Sequence, residues 1–594
     1  MLLMQHTLVA VQLKLAKREH MSSWKNAYES NSDLTEYGDN GLALFSLALK
    51  FGVDDLQNIA ADAITDGYDD KKLDLVYINT EDEYAVICQC YYSTKERPTA
   101  PANKASDLNT GLAWLIQRDI ADVPDRIKSA AINFRTALSE KQIKTVYIWY
   151  VHNLPESLNV HDELVSVQQT AITALNAAFP ATKLDVHAYE VGQTMLSDWY
   201  EECQTPILVS ETVTIQCKDG YTVKGPHWEA FNTAISLQDL YRLYKKHKTK
   251  VFSANIRDYL GSRSSNSNIN NGIKNTADND PQNFWAYNNG LTILTHGFSY
   301  ENDQLMLEGL SIVNGAQTTG AIGSARRLPS KHAMVQARFI AIDNGDADLV
   351  QRIIQFNNSQ NKVEAADFRS TDKIQKRLKD EMNYIPEAEY EGGRRGGAGD
   401  AIKRRPNLLA SYAVGQALAA FHGDPIVAYN QKSGIWVNDR YYSKYFNENT
   451  KATHIVCAYS LVKAITEKKQ QISTKASLTK VDEDILAFFR QRGSIYLFTS
   501  AIAACTEVFL GRQVPNRFRI AFGNMSPSEA KQIWSSVVET TLPLCIHLND
   551  ALAGGLKNTT DIEKAISSFR AIVSAVSMSQ PELYNGLKAA IKAP

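Results

Sequence analysis

Residues 73–92 read LDLVYINTEDEYAVICQCYY, two β-prone runs joined by a polar turn. The second run is apolar enough to be a buried strand bounded by charge, yet it carries Gln89 at its centre. Successive strand residues point to opposite faces, so Ile87, Gln89 and Tyr91 share one face. A buried amide costs free energy unless it finds partners. Neighbouring backbone satisfies it on one reading; on the other, its oxygen faces a metal or a phosphate.

The alternation continues on both sides. LALFSLALKFG (42–52), RIKSAAINFRTALSE (126–140) and ELVSVQQTAITALNAAF (163–179) have helical spacing, whereas TVYIWYV (145–151) and KLDVHAYEV (183–191) read as strands. This pattern predicts an α/β domain with a partly parallel sheet over 1–205. Asn- and Gly-rich turns between short strands follow, which predicts an α+β domain over 206–400. Runs such as IVCAYSLVKAITEKKQ (455–470) and 483–511 predict a mainly helical region over 401–594. At 594 residues the chain exceeds what one core holds. The net charge of −2 excludes a global nucleic-acid signature, so any basic surface is local. Seven cysteines without CxxC spacing point to a reducing compartment and away from zinc, and twelve scattered histidines show no HxxxH or HExxH pairing. The first twenty residues read as a helix or strand rather than a signal peptide. No run of about 18 apolar residues exists, so no membrane span is expected and the cytoplasm is the expected location.

Lys72 and Asp74 alternate within KKLDLVYI, with Gln89 across the turn. An acid on one strand and an oxygen ligand on its neighbour, with a lysine near, is an arrangement that holds Mg2+ or Mn2+ beside a phosphodiester. This order of elements resembles the PD-(D/E)XK restriction-endonuclease-like fold, and in its Mrr-like branch the usual ending is D…QxK. Asp74 and Gln89 match that ending, but Tyr91 stands where it places a lysine. Lys72 substituting, Lys95 folding back, and a disabled site that binds nucleic acid without cutting it all remain open. The resemblance also implies an acid on the first helix, for which Glu36 is the candidate; an acid at a helix start equally serves the macrodipole or a cap.

The middle of the chain carries four asparagine motifs: Asn255-x-Arg257; Asn288-Asn289-Gly290; Asn314-Gly315-x-Gln317-Thr318-Thr319; and Asn357-Asn358-x-Gln360-Asn361. Asn-Gly tolerates positive φ, so Asn288-Asn289-Gly290 suits a tight hairpin. In the third motif a strand, a glycine turn and a helix-compatible run follow one another, which is a ready anion site with donors from Gln317, Thr318 and Thr319; the hydroxyls equally suit capping. The four motifs in this order resemble the abortive-infection phage-resistance family, AIPR, over about 220–380. That resemblance implies a bacterial anti-phage protein, and an endonuclease-like amino-terminal domain is a common companion in the family. The third and fourth motifs are also loosely similar to the boxes of ParB/sulfiredoxin-type nucleotide-binding domains, without their arginines, which implies a nucleotide or phage-derived trigger.

Two basic runs stand out, 241–252 and GGRRGGAGDAIKRR (392–405); in the second, glycines flank Arg394, Arg395, Lys403, Arg404 and Arg405. Such a loop fits phosphates, although a charge run is also simply a solvated face. Apolar spacing beyond 405 suits a core or a homo-oligomer interface. The leading expectation is a metal-dependent nuclease acting on DNA rather than RNA. The alternative is a catalytically degenerate nucleic-acid-binding or nucleotide-sensing defence protein that acts through a partner.

Overall fold

The computed structural model describes residues 24–53, 56–67, 69–204, 209–247, 251–252, 267–325, 327–342, 347–358, 369, 372–392, 407–475, 477–552 and 555–591. The chain forms two compact units, one from 1–48, 52–194 and 364–594, the other from 49–51 and 195–363. The expected amino-terminal and carboxy-terminal regions thus share a unit.

The amino-terminal part of the first unit runs α1 (Asp39–Phe51), α2 (Leu56–Ala63), β1 (Leu75–Asn79), β2 (Tyr84–Tyr91), α3 (Ala102–Ile116), α4 (Asp125–Ser139), β3 (Thr145–His152), α5 (Leu158–Ala178) and β4 (Asp185–Val191). β1 and β2 form the expected antiparallel pair, and β3 and β4 add in parallel, giving the order β1-β2-β3-β4. The two long crossovers that parallel pairing requires are supplied by α3 with α4 and by α5. Leu108, Leu112 and Leu115 of α3, Phe134 of α4 and Leu164 of α5 join Ala85, Ile87, Val146, Ile148 and Tyr150 in one core, so these helices cover the sheet face that also carries Gln89. Ser157 caps α5 by accepting from the Val160 amide at 3.3 Å.

In the second unit, β5 (Val209–Gln216), β6 (Tyr221–Lys224), β7 (Trp228–Ser236), α6 (Leu237–His247), β8 (Leu291–Thr295), β9 (Gly297–Glu301), β10 (Gln304–Asn314), α7 (Ala316–Gly323), β11 (Met334–Ile342) and α8 (Ala347–Asn358) build a mixed sheet ordered β5-β10-β8-β11-β7-β6, with β9 on β10. Only β8 and β11 run parallel among these pairs. The register of β10 shifts at Gly309, whose φ is +72°. Asn288-Asn289-Gly290 is not the tight hairpin that its composition suggests: it leads from a helical turn, Phe284–Tyr287, into β8, with Gly290 at φ +85°.

In the carboxy-terminal part of the first unit, α9 (Ser411–Phe421), α10 (Ala452–Ser473), α11 (Lys480–Phe489), α12 (Ser494–Ala504), α13 (Pro527–Thr541) and α14 (Thr559–Ser579) enclose an apolar core. Capping boxes start α11 (Thr479 with Asp482) and α13 (Ser526 with Glu529, Pro527 following). The apolar run 483–511 is three helices rather than one, because Gly493 turns the chain at φ +77° and another break follows at Cys505. These helices lie against the amino-terminal part. Lys469 of α10 is buried, donates to the carbonyls of Ala61 and Phe489, and pairs with Asp62 at 3.7 Å; Ser433 donates to Glu81, and Lys557 to Glu140 at 2.7 Å.

Candidate functional site

The loop between α2 and β1 folds back on itself. Ile64 makes a β-bridge with Leu75, the Thr65 and Asp66 amides donate to the Asp74 carbonyl at 2.9 and 3.2 Å, and the Thr65 hydroxyl donates to the Leu73 carbonyl at 2.6 Å. Arg126 of α4 donates through Nε to the Thr65 carbonyl at 2.9 Å and fixes the loop from outside. The result brings Asp66, Asp70 and Asp74 together, with one carboxylate oxygen of each within 4.8 Å of the others. Their spacing of four in ITDGYDDKKLD was the sequence signal, and it went unread.

Asp74 is half-buried, and its Oδ2 accepts from the Cys90 amide at 2.6 Å. Burial pushes its carboxyl up to about 7; Asp66 and Asp70 push the same way, whereas the Cys90 amide and the Lys104 ammonium pull it back. Asp66 accepts from Asn40 Nδ2 at 2.7 Å, while Asp70 accepts from the amides of Gly67 and Lys72.

Gln89 lies on the neighbouring strand. The paired register begins with Leu75 and Cys88; just before it the Asp74 amide donates to the Cys88 carbonyl at 3.0 Å, so Asp74 closes the end of the β1–β2 ladder against the 88–90 segment that carries Gln89. Through β2 and β3, Gln89 is in register with Tyr150, and Tyr150 with Glu190. Gln89 is 4% exposed, and its Oε1 accepts no hydrogen bond; Asn40 Oδ1, on a residue 5% exposed, is likewise without a donor. Backbone therefore does not satisfy the Gln89 oxygen. Three clustered carboxylates, one of them bonded by the Asn40 amide, offer oxygen donors of the kind that suit a hard divalent cation, and the Gln89 oxygen on the adjoining strand is unsatisfied.

Two expected members of this site stand elsewhere. Lys71 and Lys72 lie in a left-handed turn (φ +56° and +71°) before β1 begins, so strand alternation does not align Lys72 with Asp74; its ammonium pairs with Asp107 of α3 at 3.5 Å. Glu36 closes a four-residue helical turn, and burial raises its carboxyl, with Asp33 and Glu467 as its electrostatic neighbours. It is not among the clustered acids.

Among the described residues, the second unit brings together the second and third asparagine motifs and Asn357 of the fourth. β10 ends at Asn314, Gly315 adopts φ +96°, and α7 starts with Gly315 as its cap, as the strand–turn–helix reading expects. Asn288 Nδ2 donates to the Thr318 hydroxyl at 3.0 Å, and its Oδ1 accepts from the Gly290 amide. Asn314 Nδ2 donates to the Asn357 carbonyl at 3.0 Å. Thr319 caps inward, onto the Gly315 carbonyl. Gln317 is half-buried and Asn289 exposed. Arg338, which the sequence reading missed, donates to Asn357 Oδ1 at 2.7 Å and to Thr292 at 3.0 Å; a lone cation within the apolar strand MVQARFIAI was its signal. In the first basic run, Arg242 pairs with Asp239 and Lys246 with Glu211. Asn255, Arg257, Gln360, Arg394, Arg395, Lys403, Arg404 and Arg405 lie outside the described residues, as does the side chain of Asn358.

An α/β sheet with clustered acids and a helical bundle make up one unit, and a second sheet unit carries asparagines linked to Thr318 and Arg338. Residues 252–541 match the model of the AIPR protein family. The match starts and ends later than the expected span of about 220–380, includes all four motifs and takes in helices α9 to α13. No curated protein and no solved structure matches the chain. Among the described residues, no helix is long and apolar enough to cross a membrane.

Proposed function

We propose that this chain is a bacterial, cytoplasmic phage-defence protein whose amino-terminal sheet is a metal-dependent nuclease of the restriction-endonuclease-like kind, acting on DNA. The AIPR match supports the defence role. One observation supports the nuclease reading: Asp66, Asp70 and Asp74 gather at the end of the β1–β2 pair, and the Asp74 carboxylate accepts from the Cys90 amide, next in sequence to Gln89, whose buried oxygen has no donor. Asp66, Asp70, Asp74 and Gln89 would hold Mg2+ or Mn2+. A cation bound there supplies charge that polarises a phosphodiester and acidifies a water. The half-buried Asp74 gains a counter-charge by binding it, which offsets the crowding of three carboxylates.

Calorimetry with Mn2+ and a plasmid-nicking assay, on the wild type and on Asp74→Ala, test this. Metal binding and nicking that both vanish in the variant support the reading. Equal nicking in the two proteins, or no nicking with any divalent ion, overturns it.

The binding-only alternative rests on Tyr91, where the resembled pattern has lysine. If the parent is silent and Tyr91→Lys creates cleavage, the natural protein is a binder. In the second unit, the free start of α7 beside Gly315 and the Arg338–Asn357–Asn314 links support a sensing role for an anionic ligand such as a nucleotide. Titration with common nucleotides tests it; no heat from any of them sinks that role.

A further inference from the structure

We propose that Lys104, from the first turn of α3, binds the scissile phosphate at the Asp74 centre and so supplies the positive charge that position 91 lacks. This rests on the nuclease reading and adds to it the residue that meets the substrate.

Tyr91 lies two residues beyond Gln89 on β2 and shares its face. The Lys104 ammonium sits 5.3 Å from the centre of the Tyr91 ring. The ring therefore occupies the place of a lysine stem and carries an ammonium on its face, a favourable electrostatic contact. The same ammonium is close enough for its charge to act on the Asp74 carboxylate. Its neighbours are already engaged: Lys71 pairs with Asp69 and covers the Trp114 ring at 4.8 Å, and Lys72 pairs with Asp107. Among the described residues no ion pair holds Lys104, which is half-buried. A half-buried cation over an aromatic ring, within electrostatic reach of Asp74 and without an ion pair of its own, is suited to an incoming anion.

Hydrolysis of a phosphodiester forms one bond from phosphorus to a water oxygen and breaks one bridging P–O bond; a water proton is given up, and the departing oxygen takes one. Lys104 keeps its proton and its charge throughout. Its role is to offset the negative charge that grows on the non-bridging oxygens.

The test compares wild type, Lys104→Ala, Lys104→Arg and the double variant Tyr91→Lys/Lys104→Ala, each matched for thermal midpoint. Duplex DNA binding is read by fluorescence anisotropy with Ca2+ over a range of salt, and nicking is read separately with Mg2+. Lys104→Ala should weaken binding about tenfold and flatten the slope of log K against log salt by about one. Its nicking should fall about 100-fold. Lys104→Arg should keep the affinity, and the double variant should regain it. If wild type and Lys104→Ala bind and nick alike, Lys104 is only a solvated partner of Tyr91, and the nuclease reading stands without it. If wild type binds without nicking and Lys104→Ala binds more weakly, the nuclease reading fails and Lys104 keeps its role. No metal-dependent binding by wild type overturns both.

Discussion

Gln89 carries the largest local cost at the site: a buried amide oxygen with no donor, worth about 1–3 kcal/mol. Gln89→Leu removes that group while keeping the volume close. The expected result in urea titrations is a metal-free protein more stable by about 1 kcal/mol. In the same titrations, added Mn2+ should stabilise the wild type and do far less for the variant; equal stabilisation of the two would remove Gln89 from the donor set. Gly315 presents the opposite case, a residue required for lack of a side chain. At φ +96° a Cβ would lie 2.2 Å from Leu291 Cδ2 and 3.1 Å from the Gly290 carbonyl oxygen. Gly315→Ala should therefore cost about 1–3 kcal/mol and loosen the start of α7; an unchanged denaturation midpoint would show that the turn yields.

Between elements, α9 and α10 are joined by two histidines. His422, at the end of α9, and His454, in α10, have their Nε2 atoms 3.0 Å apart; Phe518 stacks on His422 with ring centres at 4.0 Å, and His454 Nδ1 contacts the Ile520 carbonyl at 2.8 Å. Burial lowers His454 to about 4 and His422 to about 2, with His454, Arg517 and Lys444 adding repulsion on His422. An unfolded histidine titrates near 6.5, so below that pH the unfolded chain binds more protons than the folded one. Their contribution is complete above about 6.5 and is lost as the pH falls toward the folded values, by up to about 1.4 kcal/mol per pH unit for each ring. Urea midpoints from pH 7.5 to 4.5 should show this slope, and His422→Gln/His454→Gln should flatten it. Parallel curves for the two proteins would place the acid sensitivity elsewhere.

At the scale of the molecule, the first unit is built from the two ends of the chain, with residues 195–363 lying between them in sequence. α2 is held by α10 through Lys469, which is buried and satisfied only when both are present. A fragment ending at residue 205 would leave the carbonyl of Ala61 and the carboxylate of Asp62 without that partner, along with apolar surface exposed. It should show helical far-ultraviolet dichroism with a weak, non-cooperative melt, whereas the full chain melts sharply. A fragment melting cooperatively at the temperature of the full chain would show that the α/β part stands alone.

By itself the sequence determined the elements whose signal is local: the β1–β2 pair from its turn and alternation, the crossover helices α4 and α5 from their 3.6 period, and the Asn314-Gly315 turn from glycine's access to positive φ. That Asp74 and Gln89 come to the same end of the strand pair was legible too, because a hairpin's register follows from the length of its turn. Only the tertiary structure decided which acids join them, since Asp66 and Asp70 arrive by a loop closing through backbone hydrogen bonds, and which lysine comes near, since Lys104 lies on a helix whose packing is set by apolar contacts across the sheet. Glu36 and Lys72 were chosen for their spacing along the chain, and spacing does not encode where a left-handed turn or a short helix aims a side chain. Arg338 and Asn357 meet for the same reason: their elements are adjacent in space, a relation fixed by burial rather than by any interval in the sequence.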